Sequence, residues 1–274
     1  MFIGIVGTEC AGKSFIKQYL ITRGFTELSL PNDHRPRVNG VQHMLVHATH
    51  NWQADHVTLS LRTRAQLEPF MKRPFFLLGA RGGVMHDIVR SLVHVSVVNS
   101  FHSVRELEAH LDVLNLRDTE RLRPGWDSYF MTLAHLASLR SNCMKRRVGA
   151  ILVRSHRVIS TGYNGTPRGL QNCADGGCAR CNGSARSGQA LEECLCLHAE
   201  ENALLEAGRE RVSGGEGGAA VLYCNTCPCL RCSVKIVQTG VREVVYNLAY
   251  SMDEASARVF KEAGVALRQH CPPA

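Results

Sequence analysis

The sequence Leu197-His198-Ala199-Glu200 is followed, about thirty residues later, by Pro228-Cys229-Leu230-Arg231-Cys232. Together these stretches supply one imidazole, two thiols and one carboxylate. A catalytic zinc ion takes three protein ligands and leaves its fourth position to water, whose pKa falls to about 7. The pattern therefore predicts that His198, Cys229 and Cys232 bind zinc and that Glu200 moves protons. The alternative is a structural zinc with Glu200 merely exposed, but such sites normally have four protein ligands.

The spacing of the cysteine motif predicts a helix that begins at Pro228, a residue tolerated in the first helical turn. Cys229 and Cys232 would then share one helix face, and the positive end of the helix would favour their thiolate forms. His198 is expected next to the start of a second helix, where it and Glu200 can turn toward one centre.

The 274 residues are 45% hydrophobic, which is enough for one large or two ordinary domains. The net charge of +8 fits small phosphorylated ligands as well as it fits a nucleic acid. With 6% aromatic residues, the chain has few platforms for stacking single strands. We therefore expect neither a nucleic-acid polymer nor a membrane as partner. The N-terminus lacks a signal-peptide pattern, which predicts a cytoplasmic or nuclear protein.

Cysteine usage points to metal. Ten of the twelve cysteines lie between Cys143 and Cys232. In a long chain kept in a reducing compartment, such crowding indicates metal binding rather than disulfides.

Residues 1–123 contain a second motif. An apolar strand, Phe2–Val6, leads into Gly7-Thr8-Glu9-Cys10-Ala11-Gly12-Lys13-Ser14 and then into a helical pattern up to Leu20. Strand, glycine loop and helix form the context of a phosphate-binding loop, so a nucleotide is predicted to contact Gly7, Gly12, Lys13 and Ser14. The alternative is a fold that binds a nucleotide weakly or not at all. It is favoured because the apolar run at 74–79 ends without an acidic residue that could hold magnesium through water. The stretch 31–50 is rich in His, Asn, Pro and Arg and is predicted to be loop.

A domain boundary is predicted at Arg123-Pro124-Gly125, so that residues 124–274 form the second domain. Its pattern predicts a helix over 129–139, with Phe130, Leu133, Ala134, Leu136 and Ala137 in the core. The runs at 148–153 and 158–161 predict a hairpin. A helix (199–207), a strand (219–223), the cysteine helix, a strand (241–246), a helix (252–263) and a strand (265–267) follow. This order predicts an α/β domain with a mixed sheet.

The second half resembles the deoxycytidylate (dCMP) deaminases of the cytidine/deoxycytidylate deaminase superfamily. The resemblance rests on the zinc motif together with Trp126 to Met131, Val148-Gly149-Ala150, Gly162 to Pro167 and Leu197 to Ala203. The first hundred residues are similar to small P-loop kinases of nucleotides and of dephospho-coenzyme A, and the two-part layout is similar to the fungal deaminases. The resemblance implies a cytidine-deaminase-like three-layer α/β/α domain preceded by a smaller P-loop-like α/β domain.

The resemblance also implies a reaction. Zinc-activated water would convert dCMP into dUMP and ammonia, supplying dUMP for thymidylate synthesis, with Glu200 as proton carrier. Substrate contacts are expected from Asn164, Ala199 and Tyr250; for Asn164 and Tyr250 the alternatives are a turn residue and an ordinary core residue. Lys145, Arg146, Arg147 and Arg168 are all candidates for the substrate phosphate.

A second, structural zinc is implied for Cys143, Cys173 and Cys196, with Cys178, Cys181 or Cys194 as fourth ligand; the C-x-x-C spacing favours Cys181. Members of the family form homo-oligomers, commonly hexamers, that dCTP activates and dTTP inhibits, and we expect the same of this chain. Two other functions use the same residues: deamination of bases within RNA or DNA, and a zinc-stabilised binding module without activity.

Overall fold

The computed structural model of the chain describes residues 1–8, 10–30, 38–81, 92–186, 188–213, 218–249 and 254–272. The chain divides into two compact units, Met1–Arg123 and Pro124–Ala274. Across these ranges, no helix combines the length and the apolar character needed to span a lipid bilayer.

The described part of the N-terminal unit contains a parallel sheet in the order β2-β3-β1-β4-β5. Its strands are β1 (Phe2–Gly7), β2 (Thr26–Glu27), β3 (His56–Thr58), β4 (Phe76–Arg81) and β5 (Val95–Val98). The helices are α1 (Lys13–Thr22), α2 (Val38–His50), α3 (Arg64–Met71) and α4 (Val104–Leu114). Alternate residues of β1 face opposite sides of the sheet. Ile3 and Ile5 pack with α1 and α4, whereas Phe2 and Val6 pack with α2 and α3.

The loop predicted for 31–50 is wrong over α2, while 31–37 lie outside the described residues. Four buried side chains recur at the spacing of one helix face: Val41, Met44, Leu45 and Ala48. The polar residues between them occupy the other faces of α2, so the composition of the segment concealed its period.

The C-terminal unit is built around a mixed sheet in the order β10-β9-β8-β6-β7. β6 runs antiparallel to β7 and β8, and β8, β9 and β10 are parallel. The strands are β6 (Gly149–Arg154), β7 (Arg157–Tyr163), β8 (Val221–Thr226), β9 (Glu243–Leu248) and β10 (Ala266–Gln269). The helices are α5 (Trp126–Ser138), α6 (Ala179–Asn182), α7 (Ala199–Ser213, broken at Gly208), α8 (Leu230–Thr239) and α9 (Glu254–Glu262).

Helices cover both faces of this sheet. On one face, Phe130, Met131 and Ala134 of α5 pack against Ile151 and Val245. On the other, α7, α8 and α9 pack against a second set of strand residues, which includes Ala150, Leu152, Leu222 and Val244. The predicted α/β class, mixed sheet and hairpin are confirmed. The core assignment of Leu136 is wrong, because this residue is 59% exposed while Met131 is buried.

The first turn of α7 lies directly against β7. A Cβ atom on Gly162 would lie 2.1 Å from the carbonyl oxygen of Ala199 and 2.5 Å from the amide nitrogen of Ala203. The side-chain amide of Asn202 donates to the carbonyl of Tyr163 at 2.8 Å, and the hydroxyl of Ser160 donates to that of Ala203 at 2.7 Å. Only a glycine permits this approach, which fixes the start of α7 over the end of β7.

The segment between β7 and α7 carries the cysteine-rich insert. It contains short 3₁₀ turns at Cys173–Asp175 and Leu191–Glu193 and the four-residue helix α6. Just before α7, Leu197 forms a two-bond bridge with Gly165, with N···O distances of 2.9 and 3.2 Å. This bridge positions Cys196 on one side and His198 on the other.

Candidate active site and metal centres

His198 and Cys229 both stand at helix starts. The carbonyl of His198 accepts from the amide of Asn202 at 2.9 Å, which places His198 immediately before α7. Cys229 is the N-cap of α8, and its backbone is extended. The helix begins at Leu230, so the predicted start at Pro228 is wrong by two residues. Pro228 belongs to the connection between β8 and α8 instead. Cys232 remains in the first turn of α8, so both thiols face the same centre.

The three predicted ligands converge. Nδ1 of His198 lies 3.5 Å from Sγ of Cys229 and 3.4 Å from Sγ of Cys232. Zinc bonds of 2.0–2.1 Å to nitrogen and 2.3 Å to sulfur, at tetrahedral angles, would place these atoms about 3.5 Å apart. The donor set therefore fits a zinc ion in chemistry and in spacing.

Glu200 lies beside this triad without joining it. Its side chain is buried at 4% exposure, and it accepts a hydrogen bond from the thiol of Cys232. Burial raises the pKa of Glu200. Its carboxylate is absent from the group of donor atoms that lie within 4.8 Å of one another, a group that consists of His198, Cys229 and Cys232. Three ligands and a separate carboxylate leave one metal position open, which is the arrangement of a catalytic site.

The surroundings of Cys229 favour its thiolate form. The hydrogen bonds that Cys229 makes with Cys232 and with His198 lower the pKa of Cys229 to about 3. The pKa of His198 is raised, first by its hydrogen bond with Cys229. A thiolate facing an imidazole is the ligand form that a divalent cation requires.

A cavity of about 480 Å³ opens onto this triad. Glu200, Ala199, Asn164 and Cys227 line it, as do His198 and Cys229. Its size falls in the range of small-molecule sites. The cavity lies wholly within the C-terminal unit.

Asn164 is buried in the cavity wall and holds the neighbouring backbone. Its Oδ1 accepts from the amide of Val148 at 2.8 Å, and its Nδ2 donates to the carbonyl of Arg146 at 2.8 Å. Ala199 is fully buried beneath the cavity. Tyr250 lies outside the described residues. Of the two cysteines that precede the motif, Cys227 lines the cavity, whereas Cys224 is buried in β8.

The basic side chains around the cavity differ in part from those expected. Lys145 and Arg146 line it, but Arg147 and Arg168 are not among its described lining residues. Arg180 and Arg186, which the sequence reasoning missed, also line it. Both belong to the cysteine-rich insert, and no local pattern relates that insert to the zinc motif. The C-x-x-C pair that frames Arg180 is the one signal that could have directed attention to them.

The insert brings five of its own cysteines together with Cys143. Two groups of four can each hold a metal ion: Cys143, Cys173, Cys181 and Cys196, and Cys178, Cys181, Cys194 and Cys196. The first group is the set predicted for a second zinc, and the second contains both of the alternative fourth ligands.

In the N-terminal unit, the glycine loop joins β1 to α1. Gly12 is the N-cap of α1 with a φ of 82°, and Lys13 and Ser14 begin the helix. Nζ of Lys13 donates to the carbonyl of Gly7 at 2.9 Å and also to that of Thr8. Gly7 ends β1, where a Cβ atom would lie 2.2 Å from the carbonyl oxygen of Ala80.

Comparison with known proteins agrees with this site. The family profile "Cytidine and deoxycytidylate deaminase zinc-binding region" matches residues 124–248. The deoxycytidylate deaminase of Schizosaccharomyces pombe is 41% identical, over 99% of this chain and 98% of its own length. That of Saccharomyces cerevisiae is also 41% identical, over 98% and 96%. The structure of dCMP deaminase from cyanophage S-TIM5 in complex with dCMP and dUMP is 32% identical over 54% of this chain and 98% of that chain, with a TM-score of 0.43. Because the similarity to the two fungal enzymes extends over nearly the whole sequence, the chain belongs to the deoxycytidylate deaminase family.

Proposed function

We propose that the chain hydrolyses dCMP to dUMP and ammonia. The observation that carries this proposal is the convergence of one imidazole and two thiols at zinc-ligand spacing beside a buried carboxylate that is not part of the ligand set. Near-full-length similarity to two deoxycytidylate deaminases supports the choice of substrate.

Zinc held by His198, Cys229 and Cys232 would supply a Lewis acid that lowers the pKa of a water molecule to about 7. Glu200 accepts the proton that this water releases as its oxygen bonds to C4 of cytosine, and it delivers a proton to N3. Glu200 then takes the proton of the hydroxyl group now on C4 and passes it to the exocyclic amino group, so that the C4–N bond breaks, ammonia leaves and the C4 carbonyl of dUMP remains. Burial of Glu200 keeps bulk water away from these transfers.

The substrate is a free nucleotide in this proposal. The cavity holds Asn164 and Ala199 near the triad, with Lys145, Arg146, Arg180 and Arg186 available for the 5′-phosphate. Arg180 and Lys145 also donate to backbone carbonyls of the insert, to Gln189 at 2.9 Å and to Gly183 at 3.1 Å. We assign Arg186 first to the phosphate, with Arg146 as the second candidate.

The test compares the rates of ammonia release from dCMP, deoxycytidine, cytidine and a cytosine-containing oligonucleotide. Rapid turnover of dCMP with slow turnover of the others is expected. Preference for the oligonucleotide, with an affinity that falls steeply with salt, would instead make the chain a polymer deaminase. No turnover by zinc-loaded protein would leave only a binding module.

Assembly and regulation are proposed from the family resemblance. We infer that the chain forms a homo-oligomer, a hexamer as in the family, which dCTP activates and dTTP inhibits. Light scattering measures the oligomeric state. We also infer a cytoplasmic or nuclear location and structural zinc in the cysteine-rich insert. Turnover of dCMP at rising dCTP or dTTP concentration tests the regulation.

A second candidate activity is nucleotide binding by the N-terminal unit. Its support is the position of Gly7, Gly12, Lys13 and Ser14 between the carboxyl end of β1 and the start of α1, where helix amides can face phosphates. Titration calorimetry with ATP, dCTP and dTTP should detect binding that Lys13→Ala removes and the exposed control Lys72→Ala retains. Absence of heat in the unaltered protein would leave the unit as a scaffold.

A further inference from the structure

Cys143 and the five cysteines of the insert form one continuous group of sulfur atoms. In each of the two overlapping sets, all four sulfurs lie within 4.8 Å of one another, and Cys181 and Cys196 belong to both sets. These two thiols therefore lie between the pair Cys143 and Cys173 and the pair Cys178 and Cys194. The catalytic triad is a separate group.

The distances between sulfurs are those of a metal site. Sγ of Cys181 lies 3.9 Å from that of Cys143, 3.6 Å from that of Cys194 and 3.9 Å from that of Cys196. A disulfide would require about 2.05 Å. Four sulfurs around one zinc ion at 2.3 Å and tetrahedral angles lie about 3.8 Å apart. The spacing thus matches the edges of zinc-centred tetrahedra.

A single zinc ion does not account for all six residues. An ion bound by Cys143, Cys173, Cys181 and Cys196 leaves the thiols of Cys178 and Cys194 beside it, both directed at Cys181. Two tetrahedral ions that share two ligands need six thiolates, the number present, and six-cysteine sites with two zinc ions exist in other proteins.

We propose that the insert binds two zinc ions in one cluster, in which the thiolates of Cys181 and Cys196 bridge the ions. Cys143 and Cys173 complete the coordination of one ion, and Cys178 and Cys194 that of the other. This inference extends the structural zinc of the proposed function from one ion to two, and it does not depend on the identity of the deaminase substrate.

The surroundings suit the charge of such a cluster. Six thiolates and two zinc ions carry two net negative charges, which N–H donors and cations must offset. The amide of Met144 donates to Sγ of Cys173 at 3.5 Å, and the side chain of Asn182 does so at 3.8 Å. The guanidinium of Arg180 approaches Sγ of Cys181 at 4.0 Å. Backbone hydrogen bonds also reach the outer thiols: from Lys145 and Arg146 to Cys143, and from Leu195 to Cys178.

The cluster also forms part of the cavity wall. Cys143, Cys181, Cys194 and Cys196 line the same cavity as Glu200, together with the insert residues Arg180 and Arg186. Two ions that connect Cys143 with the five cysteines of the insert would fix the position of these arginines beside the substrate. The cluster would thus not contact the substrate itself, but it would influence substrate affinity through the position of these arginines.

Zinc content of the purified full chain, measured by plasma mass spectrometry, tests the proposal. We expect about three zinc ions per chain, one of them catalytic, and about two in His198→Ala. Cys143→Ser and Cys194→Ser should each lower the content by about one ion, and Cys181→Ser, which removes a bridging ligand, by about two. The exposed Cys271→Ser is the matched control and should leave the content unchanged.

The cluster is overturned if the unaltered chain holds about two ions and either Cys194→Ser or Cys143→Ser loses none. A single ion would then be bound by the set that lacks the substituted cysteine. A second measurement does not depend on whether the variants fold. Chain loaded with ¹¹³Cd should give two thiolate-bound resonances coupled to each other through the bridging sulfurs, beside a third uncoupled one. Absence of this coupling would overturn the bridged arrangement while leaving dCMP turnover, assayed on the zinc form, as an independent result.

Discussion

Glu200 carries an ionisable carboxyl group in a buried position, with a side chain that is only 4% exposed. Its carboxylate contacts the thiol of Cys232 and lines the cavity, and it stays outside the group of metal-donor atoms. Burial of a carboxyl group costs folding free energy, and such groups are often found where a reaction needs them. Proton transfer to and from the pyrimidine is the step that needs Glu200 in the proposed reaction.

Glu200→Gln should reduce kcat for dCMP by about 10²- to 10⁴-fold, because the amide cannot exchange protons. The amide keeps the size of the carboxylate, so zinc at His198, Cys229 and Cys232 should be retained. Ammonia release and zinc content are measured together, with the exposed Glu206→Gln of the same helix as control. Loss of zinc in Glu200→Gln would show that Glu200 is a ligand.

Arg186→Gln should raise KM for dCMP by about 10- to 100-fold, the cost of one charge-assisted hydrogen bond. Deoxycytidine has no phosphate, so its slow turnover should not change. The control is Arg157→Gln, an exposed arginine of the same unit that is not among the described residues lining the cavity. Equal effects on nucleotide and nucleoside would place Arg186 away from the phosphate.

The sequence was sufficient to predict that His198, Cys229 and Cys232 lie together, because spacing within each motif and the chemistry of zinc restrict the possible partners of His198. It was insufficient for Arg180 and Arg186, whose position depends on how a long insert folds beside the zinc motif. The two hydrogen bonds of Asn164 to backbone were equally inaccessible, since they join residues that no periodic pattern relates.

The helices and strands show the same division between local and tertiary information. The hairpin β6–β7 was predictable because two runs rich in β-forming residues flank a short polar turn. Helix α2 was missed, although its buried stripe obeys the helical period, because its composition resembles that of a loop. The start of α8 was predicted two residues too early, because proline is compatible both with a first helical turn and with the connection that follows a strand.

Gly162→Ala should destabilise the C-terminal unit by about 1–3 kcal/mol, since its methyl group cannot coexist with the first turn of α7. The helix must move, and it begins next to His198, so activity and zinc affinity should fall together. Thermal unfolding, zinc content and dCMP turnover measure these effects. Thr161→Ala, on the exposed face of the same strand, is the control. An unchanged melting temperature for Gly162→Ala would mean that α7 is not held where the structure places it.

Asp127 connects the first helix of the C-terminal unit with its last strand. Its carboxylate accepts from the guanidinium of Arg268 at 2.7 and 2.8 Å and from the hydroxyl of Tyr223 at 2.8 Å. The Arg268 guanidinium holds the pKa of Asp127 below its ordinary value of 3.8. Because the folded pKa is the lower one, this stabilisation is complete above pH 3.8 and is lost as the pH falls through the folded pKa.

Asp127→Asn should therefore lower the free energy of unfolding by about 1 kcal/mol near neutral pH, a modest value because the pair is partly exposed. The difference from the unaltered chain should shrink below pH 3.8. Urea unfolding at several pH values measures it, with the exposed Glu210→Gln as control. A difference that persists unchanged in acid would exclude ionisation of Asp127 as its cause.

The described lining of the cavity contains four basic side chains, Lys145, Arg146, Arg180 and Arg186, against the single acid Glu200. A concave surface with this imbalance concentrates field lines and speeds the diffusional encounter with an anion. Dissolved salt weakens that field beyond about 8–10 Å at ordinary ionic strength. Capture of dCMP, measured as kcat/KM, should consequently slow as sodium chloride is added, whereas capture of uncharged deoxycytidine should scarcely respond.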